Sequence, residues 1–542
     1  MSLQIDMTKY ILKSLPIERA DKQSCLSFLM TALTALPSRE LIRQLAQIGK
    51  MLDQDHDILE VHDKLVKEYA SPEMKNELIL DPGFDGVVLL FNRFALKLIN
   101  ELLRINTPHL STFLVDKIPK WALSIEGLFL SANSLVVIIE NEPLCTASED
   151  SEHARIFFSR FTINKSVAIG RSEMYRYAGF TSMLKKLDIE IEDYLQAVLS
   201  LSLHFEKRPL MELELPASLR QMSPNAEQVL QKYLPYLSGK EKSKDWNLTA
   251  IDALSKLYYT DALCRQHPLI QVDGRYYCLE PGLLWAALAD LPFYLLLDSC
   301  KKDNKKTRAL WKTWGDSFED HWRGLGQRIF GIDKCTDYHC QKTYPTRNLI
   351  HKNHRIGDLL VTLNSTARVI FEFKGAAPDD SIKLGNRSKA RLKFIQHDGI
   401  CQLVRDSDIY RQETLFDGTI FIILVCRGPF PPTYDFDIDV KNYLEGLADY
   451  QDYLTNTQNR PVIWLDALSA ELLFSGLKQG LSVEDTLQCL AGVPPSKIRR
   501  IISEKIQQYG LNFSLSHLYT EEIESQLQLG RSMFCDPCEI FK

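Results

Sequence analysis

The chain has 542 residues and a formal net charge of −6, and its composition, 45% hydrophobic and 25% charged residues, is that of an ordinary soluble protein. A chain of this length is too long for one hydrophobic core, so we expect about two to four domains. The N-terminus lacks the basic and apolar regions of a signal peptide. Twelve cysteines without a framework spacing favour a reducing compartment. We therefore predict a cytoplasmic protein.

Residues 1–240 show mostly helical periodicity, as in "DGVVLLFNRFALKLINELL" and "YAGFTSMLKKLDIEIEDYLQAVLSLSLHF". The run "NSLVVIIENE" is rich in β-branched residues and predicts a short strand there. The acidic excess and helical character of this region suit sensing, assembly or binding of a protein partner.

Residues 241–307 form a connecting α+β region in this prediction. The segment "PLIQVDGRYYCLEP" predicts a hairpin with its turn at Asp273-Gly274. The longest apolar stretch of the chain, "GLLWAALADLPFYLLLD", follows it and contains Asp290 and Pro292. Because it is short for a bilayer and carries a charge, it predicts a buried helix, and we expect no membrane partner.

From residue 308 helices and strands alternate, which predicts an α/β domain over 308–470 and a helical extension over 471–542. The amphipathic helix "WKTWGDSFEDHWRGLGQRIFG" comes first. Strands near 337–343, 356–363 and 367–374 follow it, then a basic helix over 388–404. The strand "GTIFIILVCRG", the helix "VKNYLEGLADYQDYL" and the strand "RPVIWLDAL" complete a mixed sheet.

Positive charge is concentrated in the same part of the chain. Residues 301–400 contain 20 Lys and Arg against 11 Asp and Glu, a net charge of +9, which leaves −15 for the rest. The basic residues occur in "KKDNKKTRALWK", "HKNHR" and "KLGNRSKARLK". One such cluster is typical of a solvated helix face, but three around one strand favour a polyanionic partner.

The strand "ARVIFEFKGA" carries Glu372 and Lys374 on one face of an otherwise apolar run. The preceding strand "RIGDLLVTL" contains Asp358, and the turn "NST" at 364–366 separates the two. A hairpin centred on Ser365 places Asp358 opposite Glu372. Two carboxylates so close repel each other unless a cation lies between them, and Mg²⁺ prefers such oxygen ligands. An ordinary cross-strand Glu–Lys pair is the alternative interpretation.

This arrangement, Asp358 followed after thirteen residues by Glu372-Phe-Lys374, resembles the PD-(D/E)XK nuclease superfamily over roughly residues 308–470. The resemblance implies a restriction-endonuclease-like αβββαβ core and Mg²⁺ (or Mn²⁺) as the cofactor. Asp358, Glu372 and the backbone carbonyl of Phe373 would bind the metal, and Lys374 would be the catalytic lysine. Glu319 matches a further glutamate that many relatives place on the first core helix; its alternative is an ion pair with Arg323.

The basic helix supplies the predicted nucleic-acid contacts. Relatives often place a glutamine or lysine from this helix near the phosphate, for which Lys393 and Gln396 are the candidates. Lys389 and Arg391 belong to the same basic surface. The proline of the family motif is replaced by Gly357, a departure that leaves the ligand positions intact.

The sequence therefore predicts a metal-dependent nuclease acting on DNA more readily than on RNA. Its helical N-terminal part is similar in organisation to bacterial restriction or antiphage proteins. The alternative is a non-catalytic nucleic-acid-binding or assembly protein that retains the fold. Because the sequence contains no Walker phosphate loop, any ATPase would be a separate chain.

Two further motifs carry weaker signals. A group of cysteines and histidines and a C-terminal pair lack zinc-module spacing: Cys335, His339, Cys340, His351, His354, and Cys535 with Cys538. The run "DFDIDV" at 435–440 lacks the glycine and the glutamate of a calcium loop, which favours a polar loop and helix cap.

Overall fold

The structure is a computed structural model. It describes residues 22–36, 38–53, 58–70, 72, 91–105, 124–141, 165–207, 212–214, 224–238, 263–264, 266–300, 303–340, 344–345, 350–351, 355–375, 389–427, 461–511, 518–519 and 524. Over these residues the protein is mixed α/β, with a five-stranded mixed sheet in its C-terminal half.

The N-terminal half is helical where it is described, as the periodicity predicts. Its helices are α1 (Lys22–Ala35), α2 (Ser38–Asp53), α3 (Ile58–Tyr69), α4 (Arg93–Leu102), α5 (Ile125–Asn141), α6 (Lys165–Ser172), α7 (Ala178–Lys185), α8 (Ile191–Lys207) and α9 (Pro224–Ser238). The strand predicted at "NSLVVIIENE" is wrong, because this run forms the second half of α5. Leu128, Phe129, Ala132 and Leu135 of α5 are fully buried. Burial in a helical core therefore outweighs the β-propensity of the run.

The predicted hairpin at Asp273-Gly274 is confirmed. Strands β2 (Leu269–Val272) and β3 (Arg275–Cys278) pair antiparallel, and β1 (Glu212–Glu214) pairs with β3 on its other side. Asp273 and Gly274 have φ values of 49° and 76°, the left-handed conformation that a two-residue hairpin turn requires.

Helix α10 (Pro281–Cys300) contains the long apolar stretch. Among the described residues it is the one helix long and apolar enough to cross a membrane. Most of its residues are buried inside the protein, and it contacts α6, α8 and the helix that follows it.

Helix α11 (Asn304–Phe330) opens the C-terminal half and begins before Trp311, the first residue of the predicted helix. The Asp303 carboxylate accepts hydrogen bonds from the N–H groups of Lys305 and Lys306, and Gly331, at φ 90°, ends the helix. The predicted apolar stripe is buried at Trp314, Phe318, Trp322 and Leu325. Trp311 is an exception, with 40% of its surface exposed.

The sheet has the strand order β10-β9-β8-β7-β4. Its strands are β4 (Cys335–Thr336), β7 (Leu359–Thr362), β8 (Ala367–Lys374), β9 (Thr419–Cys426) and β10 (Val462–Asp466). A separate two-stranded ribbon joins β5 (Tyr344–Pro345) and β6 (Ile350–His351). The first strand, predicted near 337–343, is instead the two-residue β4, followed by an isolated bridge between His339 and Arg355.

The crossover between β8 and β9 contains helix α12 (Lys389–Thr414), which lets the two strands run parallel. Strand β10 is also parallel to β9, whereas β7 is antiparallel to both of its neighbours. Three helices end the described chain: α13 (Ala467–Lys478), α14 (Val483–Leu490) and α15 (Pro495–Gln508). The helical character predicted for 471–542 holds over the part that is described.

The two faces of the sheet are covered differently. Side chains such as Val369, Phe371 and Phe373 point to the face covered by α11 and α13, and they belong to one continuous buried cluster with the N-terminal helices. Ile370 and its neighbours on β9 point to the opposite face and pack under α12. The predicted domain boundaries at 240, 307 and 470 stay predictions.

Candidate functional site

The register of the β7–β8 hairpin is the predicted one. Leu359 pairs with Phe371, and the Leu363 N–H donates to the Ala367 carbonyl at 3.1 Å, so the turn is centred on Ser365. One further step along the same ladder would put Asp358 opposite Glu372. The ladder becomes irregular at that step, because the N–H of Asp358 donates to the carbonyl of Phe371 at 2.8 Å.

Gly357 causes this irregularity. Its φ of 58° is left-handed, and a Cβ on it would lie 2.5 Å from Cγ2 of Ile370 and 2.8 Å from the carbonyl oxygen of Phe371. The Gly357 N–H donates to the buried carboxylate of Asp406 on α12 at 3.0 Å. The turn that presents Asp358 is therefore held by the helix on one face of the sheet.

The side chain of Asp358 is fixed on strand β8. Its Oδ2 accepts a hydrogen bond from the Phe373 N–H at 2.7 Å. Two arginines surround its backbone and its other oxygen: Arg323 Nε donates to the Asp358 carbonyl at 3.1 Å, and Arg355 contacts both that carbonyl and Oδ1. The Asp358 side chain is thus hydrogen-bonded to Phe373, the residue between Glu372 and Lys374.

Glu372 is 1% exposed and has a partner at each carboxylate oxygen. The Lys374 ammonium donates to Oε1, and Gln402 Nε2 donates to Oε2 at 3.1 Å. Lys374 also approaches Gln402 Oε1 at 3.4 Å. Phe371 and Phe373 face the core while Glu372 and Lys374 lie on the other face, as strand alternation predicts. The structure therefore brings Glu372, Lys374 and Gln402 together at the end of β8.

Burial raises the pKa of both carboxyl groups of this site. Burial and then Asp358 raise the pKa of Glu372 to about 8, against the opposing effect of Lys374. Burial also raises the pKa of Asp358, although the Phe373 N–H and Lys374 act to lower it. The Lys374 pKa is raised too: burial acts to lower it, but the Glu372 and Asp358 carboxylates outweigh that effect. Burial is the largest cause for both carboxyl groups, so this environment favours their neutral forms.

Glu319 on α11 joins the same electrostatic group. Its pKa is raised to about 7, first by burial and then by the charge of Asp358, while Lys374, Arg355 and Arg323 act to lower it. Its predicted alternative partner, Arg323, makes its side-chain ion pair with Asp320 instead, at 3.3 Å. Glu319 and Asp358 are thus close enough for the charge of one to affect the protonation of the other.

The donor set is compatible with a hard divalent cation. Asp358 and Glu372 offer carboxylate oxygens, Phe373 offers a backbone carbonyl, and both carboxylates have raised pKa values that a nearby cation would lower. In the described part of the chain no three His, Cys, Asp or Glu side chains converge into a metal cage. Mg²⁺ does not require one, because it commonly binds through one or two carboxylates and completes its shell with water and phosphate.

The predicted nucleic-acid contacts Lys389, Arg391, Lys393 and Gln396 all fall in the first part of α12, and their side chains lie outside the described set. Sequence reasoning missed Gln402, two helical turns further along the same helix. The residue type and helix match the expectation, but the phase of a helix against a sheet is set by packing, which no local pattern reveals. His354, Cys535, Cys538 and the run 435–440 also lie outside the described residues.

A second group of buried charges lies on the opposite side of α11. Arg171 contacts the fully buried Glu471 through two hydrogen bonds of 3.3 Å, and Tyr519 donates to the same carboxylate at 3.0 Å. His321 stacks on Tyr519, and its buried Nε2 has no hydrogen-bond partner among the described residues. Asp290 and Arg427 line the same small cavity. These residues connect the N-terminal helices to the C-terminal sheet.

Comparison with protein-family models, with curated proteins and with solved structures gives no match to this chain.

Proposed function

We propose that the protein is a metal-dependent nuclease with a restriction-endonuclease-like core, hydrolysing phosphodiester bonds in DNA in preference to RNA. The observation that carries the proposal is the cluster at the end of β8. There, Asp358 is hydrogen-bonded to Phe373, and the buried Glu372 contacts Lys374 and Gln402. An ordinary solvent-facing Glu–Lys pair would not be buried to 1% exposure or carry a raised carboxylate pKa.

In this proposal Asp358, Glu372 and the Phe373 carbonyl would hold Mg²⁺ or Mn²⁺. A cation bound there supplies Lewis-acid polarisation of the phosphoryl group and a more acidic water molecule. Lys374 stabilises negative charge that develops on the phosphate, since its ammonium lies beside the carboxylates. Gln402 orients Lys374 and Glu372. Glu319, whose pKa is about 7, exchanges a proton readily near neutral pH.

The proposed setting is cytoplasmic, in bacterial restriction or antiphage defence, with the helical N-terminal region binding a protein partner such as a separate ATPase. The mostly helical and acidic N-terminal half supports a protein-binding role. No feature of the nuclease-like site depends on this assignment.

The test is cleavage of plasmid DNA, single-stranded DNA and RNA by the full-length protein with Mg²⁺, Mn²⁺ or EDTA. We expect cutting that requires the metal and is lost in Glu372→Ala and Lys374→Ala. Matched exposed substitutions on α15, Glu504→Gln and Lys497→Ala, should leave it unchanged. If both site variants cut as fast as wild type, Glu372 and Lys374 do not form the catalytic site.

A second candidate function is nucleic-acid binding without cleavage. It is favoured by the pairing of both Glu372 oxygens, because a metal would have to displace Lys374 or Gln402 from them. Tight binding of a nucleic-acid probe by wild-type protein, with no cleavage under either metal, would establish this alternative.

A further inference from the structure

Helix α11 has one exposed face that continues into the candidate site. Residues three or four apart lie along one side of a helix. Lys305, Arg308 and Lys312 follow this spacing, and all three are exposed. We call these three residues the basic stripe. The same spacing leads on through Asp316 to Glu319 and Arg323.

The opposite side of α11 is fixed in the core. Leu310, Trp314 and Phe318 are each at most 4% exposed, which sets the orientation of the helix. The side of α11 that carries the basic stripe therefore faces solvent. Its direction along the helix axis leads to the half-buried Glu319 and then to Arg323, whose Nε donates to the Asp358 carbonyl at 3.1 Å.

The three cationic side chains of the basic stripe are available to an external partner. None of them has an ion-pair partner among the described residues, whereas the neighbouring Lys306 lies 3.7 Å from Asp303. A row of cations without internal partners can attract an external anion. Trp311, 40% exposed beside this row, adds a flat aromatic surface. Cations with an exposed aromatic ring are typical of surfaces that track a nucleic-acid strand.

The dimensions also fit a strand of nucleic acid. Lys305 and Glu319 are fourteen positions apart, about 21 Å along a helix axis, a length that corresponds to about six nucleotides of one strand measured along a duplex axis. Asp316 interrupts the positive charge in the last turn before Glu319. The positive charge of the basic stripe is therefore confined to the first turns of the helix.

We infer that the basic stripe binds the phosphate backbone of the substrate and guides it to the site at the end of β8. The inference rests on the proposed function, because it assigns a substrate track to that site. It adds a binding surface on a different helix from the one that carries Lys389, Arg391 and Lys393.

The test is fluorescence anisotropy of labelled single-stranded DNA, RNA and duplex DNA with full-length protein in EDTA, at several salt concentrations. The variant Lys305→Ala/Arg308→Ala/Lys312→Ala should bind roughly tenfold to a hundredfold more weakly at moderate salt. The slope of log affinity against log salt should fall by about two to three. Lys306→Ala, on the same helix but off the stripe, should bind like wild type. Thermal melting verifies that both variants are folded.

The outcomes separate this inference from the proposed function. If wild type cleaves DNA and the triple variant binds and cleaves as Lys306→Ala does, the stripe is not the track and the nuclease proposal stands. If the triple variant loses nucleic-acid binding but wild type never cleaves, the basic stripe is confirmed as a nucleic-acid-binding surface and the nuclease proposal is contradicted. If wild type binds polyglutamate through the stripe and binds no nucleic acid, the partner is an acidic protein and the inference is overturned.

Discussion

The Asp358 carboxylate accepts a hydrogen bond from the Phe373 N–H, so the first acidic residue of the candidate site is attached to the strand that carries the second. This bond depends on a turn in which Gly357 adopts a left-handed conformation against Ile370 and the Phe371 carbonyl. The position of Asp358 therefore depends on Gly357, a residue without a side chain.

Replacing Gly357 with alanine should destabilise the protein by roughly 2–4 kcal/mol, since the substitution combines left-handed strain with overpacking. Urea unfolding measures the change. Gly510→Ala is the matched control, because Gly510 has a φ of 65° and a Cβ added there would meet no atom of the described residues within 4 Å. Gly510→Ala should lower the free energy of unfolding by about 1 kcal/mol, the cost of left-handed strain without overpacking. Equal losses in the two variants would contradict the close packing described at Gly357.

Glu372→Gln should change how stability depends on pH. The folded-state pKa of Glu372 is raised from an ordinary value of 4.5 to about 8, so the folded protein binds this proton more tightly than the unfolded chain. The resulting stabilisation is fully present below pH 4.5 and is lost as the pH rises towards 8. Urea unfolding across this range should show wild type losing stability relative to Glu372→Gln. A constant difference between the two proteins would show that the carboxyl group titrates normally.

His321 predicts the opposite trend. Burial, then Arg328 and Arg171, lowers its pKa from 6.5 to about 3. The unfolded chain therefore takes up this proton first, and the stability that the neutral ring contributes is present above pH 6.5 and lost as the pH falls towards 3. Unfolding of His321→Leu should be less sensitive to acid over that interval. Identical acid sensitivity would contradict a neutral buried ring.

Glu471→Gln should cost about 2–3 kcal/mol, because it leaves the Arg171 guanidinium without its partner charge. The loss is moderated by the 20% of the Arg171 side chain that remains exposed to water. Thermal unfolding provides the measurement. Glu504→Gln removes the exposed pair with Arg500 and should change stability by less than about 0.5 kcal/mol. A smaller loss for Glu471→Gln than for this control would contradict the buried pairing.

Gln402→Ala should lower metal-dependent cleavage by about tenfold to a hundredfold, because Gln402 positions Lys374 and Glu372. It should also cost about 1–3 kcal/mol of stability, because it leaves Oε2 of the buried Glu372 without its donor. Single-turnover cleavage by the folded variant measures the effect on cleavage. A normal rate would show that Lys374 and Glu372 hold their positions unaided.

The part of the site that the sequence predicts is the part determined by local rules. Alternation along β8 separates Glu372 and Lys374 from Phe371 and Phe373, and the turn at 364–366 sets the register, so both are predicted correctly. The left-handed turn at Gly357 and the contribution of Gln402 are missed, because each depends on how α12 packs against the sheet.

The same distinction applies to the fold. The hairpin at Asp273-Gly274 and the core helix α11 follow from turn chemistry and periodicity. The helical state of the run in α5 does not, because Leu135 and Val136 are buried in a helical core that assembles residues distant in the sequence.

Helix α11 is continuous over 27 residues and has a different neighbour on each side. One side places His321 and Trp314 against the buried groups that join the N-terminal helices, and another presents Glu319 towards Asp358. Helix α11 is therefore shared by the buried contacts to the N-terminal helices and by the candidate site.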